Sequence, residues 1–351
     1  MSSSAIPHGS SQPLTAATNS EHIKSLDRLI RGFQVSRMIR LAADLEIADH
    51  IPAHDRVPVS TLASSSGVAI SPLLRLCRAL AAFGIFDVAA DNTIGHSPMS
   101  ALLRSDSNSN LYLAARFWAA PGNWGAWSEL DAALRTNIPP HEVAWKMSRF
   151  DYMRDHPEEA HVYNARMATA SGNRQDAIAD AYDFSNASLI IDVGGGNGAL
   201  LRAILARYPQ SHGFVFDRDN VVVAIPADAL VSGRLKIEGG NFFDQVPTGG
   251  DFYLLSWILH DWPDGECLQI LQNCRRVMPS TARLLIAERV LEHDPSRGDP
   301  MDYLSDIQMM VIGGQERTVP EFQKLLTSAG FGPVRVIPTA SVVYIIETSP
   351  I

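Results

Sequence analysis

A histidine stands where a predicted buried strand ends. The apolar residues 253–259 lead into His260, and Asp261, Trp262 and Pro263 follow it. Ligands of an open α/β sheet bind outside the carboxyl ends of its strands, so His260 is predicted to face a bound ligand. Because the ordinary histidine pKa is about 6.5, an imidazole at this position can act as a general base near neutral pH.

Two glutamates are predicted to reach the same edge of the sheet. Glu288 ends the apolar strand 284–287, and Glu316 lies in the loop before a predicted helix. A general base needs a neighbour that accepts its other N–H and so fixes its tautomer. An isolated histidine is more often structural, but two converging acids favour catalysis by His260. Asp261 is adjacent in sequence, which does not by itself place its carboxylate beside the imidazole.

A glycine-rich turn follows an earlier predicted strand. Gly194 and Gly196 permit a sharp turn and let a ligand lie against bare backbone. With Ala199 they satisfy G-x-G-x-x-A, and Asp217 ends the next strand where a ribose-binding acid belongs. The motif alone is shared by nicotinamide enzymes and S-adenosylmethionine enzymes, and an ordinary tight βα turn is the structural alternative.

The end of the chain separates the two ligand classes. A nicotinamide enzyme of this layout would need a second mononucleotide-binding half, whereas this chain ends in two predicted strands, 334–338 and 342–347, joined by a short turn. Such a terminal hairpin with an antiparallel last strand is typical of methyltransferase sheets. Methyl transfer from a sulfonium to an oxygen requires alignment of the reacting atoms and removal of one proton.

The composition favours a two-domain globular protein. The chain has 351 residues, of which 46% are hydrophobic and 19% charged. Its net charge of −9 argues against nucleic acid or an anionic membrane as the main partner. The three cysteines lack the spacing of a disulfide framework or a metal site, and Cys267 and Cys274 are predicted to be buried filler. Residues 1–20 are expected to form a disordered tail, and the default compartment is the cytoplasm.

Residues 21–110 are predicted to form a winged helix, since a helix, a turn, a second helix and a small hairpin follow one another. A winged helix that reads DNA needs a basic surface. Between residues 60 and 106, three arginines are matched by three aspartates, and there is no lysine. A dimerisation unit is therefore favoured, and a homodimer through the N-terminal helices is expected.

Residues 111–351 are predicted to hold a helical linker and an α/β domain. Alternating strands and helices from residue 187 indicate a Rossmann-like parallel sheet with crossovers. Strands are expected near residues 189–193, 213–216, 235–238, 252–257, 282–288, 334–338 and 342–347. Helices are expected near residues 199–208, 265–278, 303–311 and 319–329.

Five motifs carry a resemblance to a known family: D-V-G-G-G-N-G, L-L-S-W-I-L-H-D-W, A-E-R-V-L, G-G-Q-E-R-T-x-x-E-F and S-A-G-F. From about Ser25 onward the chain resembles the class I S-adenosylmethionine-dependent O-methyltransferases of the caffeate and hydroxyindole type, which include microbial natural-product tailoring enzymes. The resemblance implies that His260 is the base and that Glu288 and Glu316 flank it. It also implies an intertwined dimerisation domain that touches the partner's substrate site.

The resemblance implies a cofactor site with two departures from the usual pattern. Asn241 stands where an acid usually contacts the adenine amino group, although its side-chain oxygen can still accept that hydrogen bond. Ser256 stands where plant members often carry a lysine. The residues expected to bind S-adenosylmethionine are Gly194, Gly196, Asp217, Asn241, Phe242 and Ser256.

The expected substrate is an aromatic small molecule with a hydroxyl group, most readily a phenol. The residues expected to line its pocket are Phe117, Met153, Tyr163, Met167, Met309 and Met310, with core filler as the competing interpretation of each. The alternatives are N- or C-methyl transfer or a repurposed member of the same fold. A NAD-dependent oxidoreductase and a DNA-binding regulator are less favoured.

Overall fold

The computed structural model describes residues 16–223, 225 and 233–351. One compact unit ends at Ala119, and the second comprises Ala120–Ile351. The predicted division near residue 110 stays a prediction. Among the described residues, no helix is long and apolar enough to cross a membrane.

The N-terminal unit combines helices with a small antiparallel sheet. Its helices are α1 (Ala16–Ile30), α2 (Gly32–Asp44), α3 (Val59–Ser65), α4 (Ile70–Ala82), α5 (Pro98–Ala101) and α6 (Leu111–Trp118). Its strands are β1 (Arg56–Pro58), β2 (Phe86–Val88) and β3 (Thr93–His96), in the order β1-β3-β2. The predicted helix, turn, helix and hairpin are all present. Helix α1 begins inside the stretch expected to be a tail, and residues 1–15 of that stretch lie outside the described residues.

This unit buries one apolar core and exposes a second set of apolar side chains. Leu62, Cys77, Leu80 and Ile94 are completely buried where α3, α4 and the small sheet meet. The large apolar side chains left exposed on α1 and at the start of α2 are Ile23, Leu26, Leu29, Ile30 and Phe33. A contiguous exposed apolar surface is typical of a protein interface.

Five helices open the second unit. They are α7 (Pro121–Ser128), α8 (Leu130–Thr136), α9 (Pro140–Trp145), α10 (Arg149–Asp155) and α11 (Pro157–Ala181). The Glu159 carboxylate accepts hydrogen bonds from the Gly122 N–H at 3.2 Å and the Tyr152 hydroxyl at 3.2 Å. The start of α11 is thereby tied to α7 and α10.

A seven-stranded sheet forms the centre of the second unit. Its strands are β4 (Leu189–Val193), β5 (His212–Asp217), β6 (Leu235–Gly239), β7 (Phe252–Ser256), β8 (Arg283–Glu288), β11 (Arg335–Pro338) and β12 (Tyr344–Thr348). The order is β11-β12-β8-β7-β4-β5-β6, and β12 runs antiparallel to both of its neighbours. All seven predicted strands are confirmed, including the terminal antiparallel hairpin. A further parallel pair, β9 (Val290–Leu291) and β10 (Arg317–Thr318), was not predicted.

Among the described residues, five helices follow β4, and all but the second of them were predicted from the sequence pattern. They are α12 (Ala199–Arg207), α13 (Asp219–Val222), α14 (Asp264–Val277), α15 (Pro300–Ile312) and α16 (Val319–Ser328). Helix α15 begins three residues before its predicted start because Asp299 caps it, accepting from the Met301 N–H at 2.9 Å. Cys267 and Cys274 on α14 are completely buried, as predicted, but the Cys267 thiol also donates hydrogen bonds to the carbonyl oxygens of Leu259 at 3.1 Å and Trp262 at 3.3 Å.

Candidate active site

The chain leaves β7 through a strained turn that carries His260. Trp257 has a positive φ of 57°, and residues Leu259–Asp261 form a short 3₁₀ turn. The Glu288 carboxylate oxygen Oε1 accepts hydrogen bonds from the backbone N–H groups of Ile258 at 3.1 Å, Leu259 at 2.6 Å and His260 at 3.2 Å. Glu288 was predicted to orient the imidazole, but the structure places it on the backbone of the turn.

Arg317 holds the same turn from its other side. Its side chain is almost completely buried and donates hydrogen bonds to the carbonyl oxygens of Leu259 and Trp262, both at 3.0 Å. It also pairs with Asp264 Oδ1 at 2.9 Å. Arg317 was not predicted from the sequence, although it directly follows Glu316 in the quoted motif G-G-Q-E-R-T. Its role depends on main-chain carbonyls that only the folded turn brings together.

A glycine brings the Glu316 loop against the turn. A side chain at Gly314 would collide with the backbone of His260, so the close approach requires glycine. The His260 carbonyl accepts from the Gln315 N–H at 2.8 Å, and Asp306 accepts from the Glu316 N–H at 2.9 Å. Glu316 is therefore fixed beside the histidine by contacts on its own backbone.

The His260 ring lies between two carboxylates. Its Nδ1 is 3.5 Å from Glu316 Oε1, and its Nε2 is 3.6 Å from Asp261 Oδ1. Trp257 contacts the ring edge-on, with the ring centroids 4.8 Å apart. Burial lowers the pKa of His260, but the nearby carboxylates of Glu316, Asp261 and Glu288 outweigh it and raise the pKa to about 9.

Two consequences follow for the charges around the base. A pKa of about 9 keeps the imidazole mostly protonated at neutral pH, so its capacity to accept a proton grows as pH rises. Burial also raises the pKa of Glu288 to about 7. Burial raises the pKa of Asp261 as well, although the positive charges of His260 and Arg149 counteract part of that rise. Asp261, unassigned from the sequence, thus belongs to the charged cluster around His260.

The glycine loop forms a cradle at the end of β4. Gly194 and Gly196 have positive φ angles of 75° and 57°, and a Cβ on Gly194 would collide with Ile258. The Gly196 N–H donates to Asp217 Oδ2 at 2.8 Å, and the Arg218 N–H donates to Asp217 Oδ1 at 2.7 Å. The loop therefore holds the predicted ribose-binding carboxylate in place.

A cavity of about 1350 Å³ opens beside this loop. Single-ligand pockets commonly measure about 300–1000 Å³, so the volume is sufficient for a nucleoside cofactor and a second small molecule. The predicted cofactor and substrate residues that line it are Gly194, Gly196, Asp217, Asn241, Phe242, Tyr163 and Met167. Asn241 accepts from the Phe243 N–H at 3.1 Å and retains a second lone pair for a ligand donor.

Several predicted residues are not part of this lining. His260 itself does not line the cavity, but its neighbours Ile258, Asp261 and Trp262 do. Ser256 is still inside β7, where it pairs with Ala287. Among the described residues, the other predicted positions outside the lining are Glu288, Glu316, Met153, Met309, Met310 and Phe117.

The positions of Met309 and Phe117 in the fold explain why these predicted residues do not line the cavity. Met309 is buried on α15, a helix that packs against α8, α9 and the 3₁₀ turn. Phe117 is buried within the N-terminal unit. A methionine on an amphipathic helix has the same sequence pattern whether it faces the core or a cavity.

Two family models match the chain. One is described as an O-methyltransferase domain and matches residues 127–332, more than half of the chain. The other is described as an O-methyltransferase dimerisation domain and matches residues 27–106. The chain belongs to the O-methyltransferase family.

Its relatives include natural-product enzymes. The phenazine O-methyltransferase PhzM of Lysobacter antibioticus is 37% identical over 92% of this chain and 95% of that protein. The structure of the mitomycin 7-O-methyltransferase MmcR matches with a TM-score of 0.87 at 29% identity, covering 96% of this chain and 100% of that one. NcsB1, in complex with S-adenosylmethionine and 2-hydroxy-5-methyl naphthoic acid, matches with a TM-score of 0.76 at 30% identity over 90% of this chain and 96% of that one.

These matches confirm the predicted class: an S-adenosylmethionine-dependent O-methyltransferase in which a dimerisation domain precedes the α/β methyltransferase domain in the sequence. The site fits this cofactor. The loop around Gly194 is a cradle that a Cβ would fill, and Asp217 presents a carboxylate to the same cavity. A nicotinamide oxidoreductase and a DNA-binding regulator are therefore set aside.

Proposed function

We propose that this O-methyltransferase methylates a hydroxyl group, most readily a phenol, on an aromatic small molecule of secondary metabolism. The observation that carries the proposal is a buried histidine held between Glu316 and Asp261 beside a cavity large enough for two ligands. Two relatives are named for a phenazine and a mitomycin, and NcsB1 was solved with a naphthoic acid, which together support an aromatic acceptor.

We assign the part of the cavity at the carboxyl ends of the strands to the cofactor. When bound, S-adenosylmethionine supplies a methyl group on a positively charged sulfur that is already activated for transfer. Gly194 and Gly196 offer bare backbone to it, and Asp217 offers a carboxylate to ribose hydroxyls. Asn241 and Phe242 line the adjacent part of the cavity and are assigned to the adenine.

His260 is assigned as the general base. Nδ1 faces Glu316, which fixes the tautomer and leaves Nε2, on the side of the cavity-lining Asp261, to accept the proton. The imidazolium that forms is stabilised by the carboxylates of Glu316 and Asp261. Glu288 and Arg317 act through the backbone of the turn and are positioning residues.

Identification of the methylated atom tests this proposal. The protein is incubated with S-adenosylmethionine carrying a ¹³C-methyl group and a panel of hydroxylated phenazines, naphthalenes and benzoates. Carbon NMR then locates the label. An O-methyl signal whose formation depends on His260 is expected. Transfer only to nitrogen or carbon, or calorimetric binding of NAD in place of S-adenosylhomocysteine, would refute the proposal.

The proposed assembly is a homodimer through the N-terminal helices, with residues 21–110 as the dimerisation domain. The dimerisation-domain match and the exposed apolar side chains of α1 and α2 support it. Light scattering at micromolar concentration should give twice the 38.3 kDa chain mass. A monomeric mass contradicts the proposal, and salt-sensitive binding of duplex DNA would point instead to the regulator alternative.

A further inference from the structure

A serine on α15 donates a hydrogen bond to one of the carboxylates beside the base. The Ser305 hydroxyl lies 3.1 Å from Glu316 Oε1, the same oxygen that lies 3.5 Å from His260 Nδ1. A serine inside a helix often donates to a carbonyl one turn earlier in its own helix. Ser328 on α16 does so, with the Lys324 carbonyl as its acceptor at 3.0 Å. Ser305 instead directs its hydroxyl out of its helix, toward the glutamate beside the base.

The Glu316 carboxylate needs a hydrogen-bond donor because its side chain is completely buried. A carboxylate removed from water is costly unless it accepts hydrogen bonds. Among the described residues, Glu316 Oε2 has no hydrogen-bond partner, whereas Oε1 accepts from Ser305. The last torsion of a glutamate side chain has a broad distribution, so fixing the backbone leaves the direction of the carboxylate open. The hydrogen bond from Ser305 therefore orients this group.

Helix α15 holds Glu316 at two points and also contacts the turn that carries the base. Asp306 accepts a hydrogen bond from the Glu316 backbone N–H at 2.9 Å, and its neighbour Ser305 donates to the Glu316 carboxylate. The same helix packs against the 3₁₀ turn that contains His260. One helix thus fixes both members of the contact between His260 and Glu316, and Ser305 is the residue of that helix whose hydroxyl touches the carboxylate.

We propose that Ser305 is a positioning residue that keeps Glu316 Oε1 directed at His260 Nδ1, so that Nε2 of the neutral imidazole stays free to accept the proton. The inference rests on the proposed function, because it explains how the proposed base is held in one tautomer. The competing role for Ser305 is structural, as a donor that only stabilises a buried acid. The two roles differ in whether removal of the hydroxyl changes the imidazole.

Two substitutions at Ser305 test the effect on turnover. Ser305→Ala removes the hydroxyl, and Ser305→Thr retains it. With an acceptor identified by the labelled panel, we expect Ser305→Ala to lower kcat about three- to tenfold, while the KM for S-adenosylmethionine changes by less than about twofold. Ser305→Thr should recover most of kcat. Ser328→Ala is the matched control, because it removes an exposed helical serine hydroxyl that bonds within its own helix, and it should change neither value.

Nitrogen NMR of the imidazole reads the tautomer without any reaction. The full-length protein is labelled with ¹⁵N-histidine, saturated with S-adenosylhomocysteine and observed at about pH 10, above the His260 pKa of about 9. The spectrum of His260→Ala assigns the His260 signals. In wild type and Ser305→Thr the proton should be on Nδ1. In Ser305→Ala a measurable share of it should be on Nε2.

The outcomes that overturn the proposal are distinct. An unchanged His260 tautomer in Ser305→Ala overturns it, even if thermal unfolding shows a loss of stability, since the role of the hydroxyl would then be structural. An unchanged kcat for an O-methylated product overturns it as well. Addition of Ser305→Ala to Glu316→Ala should lower kcat no further, and a second fall of similar size would show that the hydroxyl does not act through Glu316.

The same measurements separate this proposal from the proposed function. O-methylation that depends on His260 but not on Ser305 keeps the function and removes the positioning role. A tautomer that depends on Ser305, combined with labelling of nitrogen or carbon in the product, keeps the positioning role and removes the function.

Discussion

The two walls of the cavity are built by different means. The proposed cofactor wall, formed by Gly194, Gly196, Asn197, Asp217 and Asn241, consists of a glycine loop and side chains at the carboxyl ends of parallel strands. The proposed substrate wall, formed by Phe150, Tyr163 and Met167, consists of side chains on α10 and α11. The position of a strand end follows from the sheet, whereas the direction of a helical side chain depends on how helices pack. The first wall could therefore be predicted from the sequence pattern, whereas the second was predicted only in part, at Tyr163 and Met167.

His260 lies next to the cavity-lining residue Asp261, and its removal should have the largest effect. We expect His260→Ala to lower kcat by about 10² to 10⁴, the usual contribution of a positioned base, while S-adenosylhomocysteine affinity stays nearly unchanged. Stopped reactions with labelled cofactor give kcat, and calorimetry gives the affinity. His293→Ala, at an exposed histidine, is the control. Near-normal turnover in His260→Ala would mean that alignment alone drives transfer.

The Arg317→Met variant tests whether the turn that carries His260 needs the buried Arg317 side chain. Arg317→Met leaves the carbonyls of Leu259 and Trp262 without this donor, so we expect a loss of about 1–3 kcal/mol in the free energy of unfolding. Because the turn carries His260, kcat should fall by more than cofactor affinity. Urea unfolding and steady-state kinetics check both. Arg154→Met, at an exposed arginine, should change neither. A variant that loses stability but keeps kcat shows that Arg317 does not position the base.

A substitution at Gly194 tests the proposed cofactor wall separately. Gly194→Ala introduces a Cβ at a φ of 75° that collides with Ile258. We expect S-adenosylhomocysteine affinity to fall by about tenfold, with a cost of about 1 kcal/mol in the free energy of unfolding. Gly265→Ala, where an added Cβ meets open space, is the matched control. Unchanged affinity in Gly194→Ala would exclude a close approach of the cofactor to this loop.

The contrast between the walls explains how far the sequence could be interpreted. Apolar runs such as 189–193 and 252–256 predicted buried parallel strands, and the side chains at their ends followed. The contacts of Arg317 could not be predicted, because its acceptors are backbone carbonyls placed by tertiary structure. Glu288 was placed at the correct strand end, but only the folded turn shows that it binds backbone N–H groups. Strands β9 and β10, of two residues each, are too short to give a periodic signal.

The smallest expected effect is a shift in the pH dependence of the single-turnover rate. This shift tests the charges around His260. Only the neutral imidazole accepts a proton, and the pKa of His260 is raised to about 9. The single-turnover rate should therefore rise about tenfold per pH unit below that value and level off above it. Glu316→Gln removes a negative charge that stabilises the imidazolium, so the pKa of His260 should fall and the rising limb should move to lower pH. The plateau should fall as well, since the tautomer is held less firmly.

Rates measured between about pH 6 and pH 10 on wild type, Glu316→Gln and the surface control Glu292→Gln check both effects. A limb that moves to higher pH, or stays where it is, would show that Glu316 does not set the protonation of His260.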